Sequence, residues 1–121
     1  MIFKKLFELV NTLKNSQDFR NYDVLLMNPQ PIPKPDTIML GLTSFEASAT
    51  TWDALNKKGI LTVIISKQLI NNGENYDAVV SSLLNVIHNL FNVIELEDLD
   101  FLAFPQQKLI FIYLGIRVEW I

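Results

Sequence analysis

The stretch KLIFIYLGIRVEWI, residues 108–121, repeats every second position, with Ile110, Ile112, Leu114, Ile116, Val118 and Trp120 falling on one side. A repeat of two lays these six on one face of a β-strand, whereas a helix would scatter them around its circumference. A strand this regular predicts a place in the middle of a sheet. Its apolar face needs cover, and that requirement narrows the chain to a sheet with something packed against one side.

The cover is legible upstream as a change of period. In NNGENYDAVVSSLLNVIHNLF, the residues Val79, Val80, Leu83, Val86, Ile87, Leu90 and Phe91 make an apolar stripe at helical spacing, and Glu74 and Asp77 stand where a helix N-terminus favours negative charge. A second amphipathic helix is predicted over 2–14, where Ile2, Phe3, Leu6, Phe7, Val10 and Leu13 oppose Lys4, Lys5, Glu8, Asn11 and Lys14. Between the helices lie three predicted strands. DVLLM (23–27) is short and apolar. TIMLGLTSFEA (37–47) puts Ile38, Leu40 and Leu42 on one face, and ILTVIISKQ (60–68) is rich in β-branched residues. The polar connection 48–58, closed by Gly59, reads as the turn of a hairpin joining the last two. After the second helix, VIELEDLDFLAF holds two alternations whose polar members differ in phase, Glu95 with Glu97 and then Asp98 with Asp100, which predicts a bulge or kink near Asp98. The expected architecture is α+β: a mostly antiparallel sheet with two helices packed on one face, in the order α-β-β-β-α-β-β, with residues 1–121 as a single domain.

Composition removes several function classes. The 121 residues hold no cysteine, which excludes disulfides, thiolate metal sites and a cysteine nucleophile, and points to an intracellular setting. Ten Lys and Arg stand against 13 Asp and Glu, for a net charge of -3, and no basic block occurs, so electrostatic nucleic-acid binding is disfavoured. The opening MIFKKLFELVNTLK lacks the features of a signal peptide, and the longest apolar run, 109–116, is too short for a bilayer, so the sequence predicts a soluble protein. Hydrophobic residues make up 50% of the chain, more than one small core easily hides, and contact with another subunit is expected.

Catalytic chemistry has few carriers. His88 has Asn85 and Asn89 as its polar neighbours and reads as the margin of the helix stripe. Glu95, Glu97, Asp98 and Asp100 lack the glycine turn and ligand spacing of a calcium loop and read as a solvated strand guarded by charge. Gly41, Gly59, Gly73 and Gly115 are isolated, so no phosphate loop exists, and no serine sits in a nucleophile elbow. The reading is a non-enzyme without cofactor or metal.

One feature is local and unusual. NPQPIPKPDTIMLG, residues 28–41, places Pro29, Pro31, Pro33 and Pro35 at alternate positions, and only Pro105 lies elsewhere. Alternate prolines fix φ and remove backbone donors, which gives a stiff extended path that cannot join a sheet ladder. Two readings stay open: an ordered arm that loses little entropy when another chain packs on it, or a rigid loop that delivers the chain to its next strand. Trp52, a large apolar side chain in a polar connection, is a candidate contact of the same kind.

The proline-bearing segment running into an apolar strand that ends in Leu-Gly, PIPKPDTIMLGLTS, resembles the start of the second strand in phage tail terminator proteins, also called tail completion or tail-to-head joining proteins. The order of predicted elements over nearly the whole chain is similar as well. The resemblance implies a virion structural protein of the tail or neck, made in the host cytoplasm. It would form a hexameric ring on the tail tube protein, stop tube growth and meet the head-tail connector protein. DNA would only pass through its lumen, no membrane would be involved, and no catalytic residue is carried over. The alternatives are another neck or head-tail connector component, or a small cytosolic binding or immunity-like module.

Overall fold

The computed structural model describes residues 4–26, 34–49, 55–69 and 76–120. Helix α1 spans Lys4–Asn15 and buries Leu6, Leu9, Val10 and Leu13, the stripe its spacing dictates. Lys14 lies in its last turn, where a cation suits the helix dipole. Beyond it the chain tightens through backbone bonds from Ser16 to Leu13 (3.1 Å), Phe19 to Ser16 (3.2 Å) and Tyr22 to Phe19 (3.0 Å), which turn Phe19 into the core. Strand β1 (Asp23–Leu26), strand β2 (Thr37–Ala49) and strand β3 (Leu55–Gln68) follow. Helix α2 (Tyr76–Leu90) leads to strand β4 (Asn92–Phe104), a 3-10 turn over Pro105–Gln107 and strand β5 (Leu109–Trp120).

The five strands form one sheet in the order β1-β2-β3-β5-β4, antiparallel except for the parallel β1–β2 pair. The fold is the expected α+β arrangement, in the expected element order, and β5 lies inside the sheet between β3 and β4. Its alternating residues Ile110, Ile112, Leu114, Ile116, Val118 and Trp120 are all buried.

Directly paired residues share a face, so the register builds apolar rows across the sheet beneath the helices. One row runs Leu26, Leu40, Val63, Leu114, Leu99; its neighbours run Val24, Ile38, Ile65, Ile112, Phe101 and Leu42, Leu61, Ile116, Leu96. The rows join Leu6, Leu9, Val10 and Leu13 of α1 and Val80, Leu83 and Ile87 of α2 in one core. Leu83 and Val118 are both fully buried members of it. Trp120 closes the core at one end, with Phe91 edge-on at 5.3 Å between ring centroids and Phe45 at 6.1 Å.

Two expectations are corrected. The connection expected over 48–58 is strand at both of its described ends: β2 reaches Ala49, β3 starts at Leu55, and Glu46 pairs with Lys58, Ala47 with Lys57 and Ser48 with Asn56. Backbone pairing needs no apolar side chain, and the opposed charges of Glu46 and Lys58 favour that register. Gly59 is accordingly no turn residue. It is buried inside β3, where an added Cβ would stand 3.1 Å from Leu42 Cδ1 and 3.2 Å from the Thr43 carbonyl oxygen. The crowding comes from a bulge between Thr43 and Glu46, with Ser44 at φ 52°.

Candidate functional site

Among the described residues, no group of three or more His, Cys, Asp or Glu side chains lies close enough to hold a metal ion. No helix among them is long and apolar enough to cross a membrane. The distinctive features are the anchored end of the proline segment, an acidic row on β4, and the edges of the sheet.

Pro29, Pro31, Pro33 and Trp52 lie outside the described residues. Pro35 is exposed and occupies a bend directly before β2. The next residue, Asp36, has φ 62° and is held from three sides. Its amide donates to the Ser66 carbonyl (2.7 Å), its carbonyl accepts from the Asp23 amide (2.9 Å), and its carboxylate meets Lys67 Nζ at 3.0 Å. Thr37 Oγ1 donates back to the Lys34 carbonyl at 2.8 Å, which fixes the turn from the other end. Lys67 also donates to the Tyr22 hydroxyl at 2.8 Å. Burial works against the Lys67 charge, but the hydrogen bonds to Tyr22 and Asp36 outweigh it and hold the ammonium above its ordinary pKa. This clip fastens the segment's end to β1 and β3 together. The parallel register sets Asp23 opposite Thr37 and Leu26 opposite Leu40, so β1 and β2 start at the same level.

On β4 the bulge expected near Asp98 occurs between Leu96 and Asp98, with a second between Val93 and Glu95. The extra residue at Glu97 resets the phase. Glu95, Asp98 and Asp100 pair with Arg117, Gly115 and Tyr113 on the face away from the helices, whereas Leu96, Leu99 and Phe101 pair with core residues on the helix side. Arg117 forms an ion pair with Glu97 and stands 4.0 Å from Glu95. Asp98 lies over Gly115, where an added Cβ would come 3.3 Å from its Oδ2. Arg117 thus answers Glu97 and Glu95, while no ion pair reaches Asp98 or Asp100 among the described residues. An open hollow of about 470 Å³ beside Arg117 is lined by Lys58, Glu46 and Ser44. His88 is exposed on the last turn of α2 and has no hydrogen-bond or ion partner among the described residues.

β4 is also an edge strand of 13 residues whose outer backbone groups have no strand partner among those described. Ile94, Leu96, Leu99, Phe101 and Leu102 are all exposed, from 38% to 57%. Three of them are the outer ends of apolar rows, so the core face runs out past the cover of α2, where Tyr76 stands 6.5 Å from Phe101 between ring centroids. An uncovered apolar edge of this length suits protein association. Reading the sequence alone marked β4 as a solvated charged strand, and its apolar residues as a contact surface were missed. The two-phase alternation was the available signal.

No protein-family model and no curated protein sequence matches this chain.

Proposed function

We propose that this protein is a ring-forming virion structural component of the tail-terminator kind, which caps the tail tube, stops its growth and joins it to the head connector. The observation that carries the reading is the exposed run of core-face residues along β4, Leu96, Leu99 and Phe101, which leaves the sheet without a natural boundary on that side. A subunit of a ring has such a boundary supplied by its neighbour. The resemblance of PIPKPDTIMLGLTS and the order of elements supply the particular kind of ring. The acidic row Glu95, Glu97, Asp98 and Asp100 fits a lumen through which DNA passes without adhering, because like charges repel at short range. In this reading the segment bearing Pro29, Pro31, Pro33 and Pro35, and the connection bearing Trp52, meet neighbouring subunits or the tube.

Electron microscopy of the protein mixed with the tail tube protein of the same phage tests this. Tubes bearing an added ring at one end and held to a fixed length are the expected result. Tubes that keep growing with bare ends remove the reading in favour of a binding module. Trp52→Ala in the same assay is expected to reduce capping without changing the melting temperature.

A further inference from the structure

The exposed large hydrophobic residues among those described fall into two groups at opposite edges of the sheet. Ile94, Leu96, Leu99, Phe101 and Leu102 lie on β4, while Leu25 and Leu26 lie on β1 with Phe7 on the adjacent helix α1. The row Leu26, Leu40, Val63, Leu114, Leu99 is fully buried at its three inner members and exposed at both ends, 39% at Leu26 and 41% at Leu99. Phe7 and Leu26 line one apolar groove of about 370 Å³.

Strand direction agrees with a union of the two edges. β1, β2 and β5 run one way and β3 and β4 the other, so a copy related by rotation about an axis along the strands brings β4 and the next β1 together antiparallel.

We propose that the β4 edge of one copy packs on the β1 and α1 edge of the next, continuing the apolar rows and the sheet from subunit to subunit in a head-to-tail ring. This rests on the ring reading above and names the surfaces that build it. The occupant of each edge is a second copy of this chain, because the same apolar row ends in an exposed leucine at both edges, Leu26 and Leu99, and the strand directions let those edges meet antiparallel. A contact between unlike patches closes into a ring when its rotation permits and does not stop at a dimer.

Sedimentation velocity on the protein alone, with three variants, provides the test. Wild-type protein is expected to form a closed oligomer. Leu99→Asp and Leu26→Asp, both at exposed positions, are each expected to sediment as monomers with unchanged circular dichroism. Mixed in equal amounts, they are expected to form a one-to-one dimer and nothing larger, because each retains the edge the other lacks. Phe7→Asp replaces Leu26→Asp should the latter unfold. A wild-type monomer at every concentration overturns the proposal. So does a Leu26→Asp protein that associates like wild type while Leu99→Asp does not, which would mean that two β4 edges pair with each other. Rings that obey these rules but fail to cap tubes leave the edge contact standing and remove the terminator reading. Capping by Leu99→Asp and Leu26→Asp proteins does the reverse.

Discussion

Leu99 on β4 stands directly opposite Leu114 on β5 and on the same face, yet Leu114 is fully buried whereas Leu99 is 41% exposed. One register step outward across the sheet therefore separates the core from solvent. Burial energetics differ accordingly. Leu114→Ala leaves a cavity among Val63, Leu40 and the helices and is expected to cost about 2–5 kcal/mol in denaturant unfolding. Leu99→Ala removes contacts only at the margin and is expected to cost less than about 1 kcal/mol at dilutions where melting no longer depends on concentration. Equal losses at both positions would mean that β4 is covered within the monomer.

Gly59 sits inside β3 against the bulge of β2, with a backbone oxygen on one side. A strand glycine is ordinarily a weakness, and replacing it with a larger residue gains about 0.5–1 kcal/mol of backbone entropy. Here the Thr43 carbonyl cannot move without breaking the bulge, so Gly59→Val is expected to lower stability by more than about 1 kcal/mol. Thermal melting of the variant decides the sign.

Lys67 has a folded-state pKa raised above its unfolded value by Tyr22 and Asp36, in spite of the opposing effect of burial. A group raised on folding contributes stability that is fully present below the unfolded value, about 10.4, and lost as pH climbs through the folded value. Stability is therefore expected to hold through neutral pH and to fall in the alkaline range above the unfolded value. Lys67→Met should flatten that part of the alkaline decline while lowering stability at pH 7. An alkaline limb of unchanged steepness in the variant would separate Lys67 from it.

The acidic row on β4 is expected to ignore cations. Arg117 already occupies Glu97 and lies beside Glu95, so a calcium, magnesium or zinc ion would have to displace a bonded guanidinium. Added at millimolar levels, each ion should leave the melting temperature unchanged. A saturable rise would reveal native-state binding through mass action.

Much of this fold is written in the periodicity of the sequence. The alternation from Ile110 to Trp120 placed a central strand, and the stripe Val80, Leu83 and Ile87 placed the helix above it, because a buried face needs apolar residues at the spacing of its own backbone. The paired phases of Glu95 with Glu97 and Asp98 with Asp100 located the bulge, since only an extra residue lets both sets reach one face. What escaped was set by backbone pairing and position in the sheet. Residues 48–49 and 55–58 are strand because they pair across a hairpin, and hydrogen bonds between main chains leave no mark in side-chain polarity. The parallel pairing of β1 with β2 escaped as well, and beside it Asp36 contacts Asp23, Ser66 and Lys67, residues distant in sequence. Most consequentially, Leu114 and Leu99 are the same residue type in similar alternating surroundings. Only the order of strands, with β4 outermost, buries one and exposes the other, because burial depends on what lies beside a strand and not on the strand's own sequence.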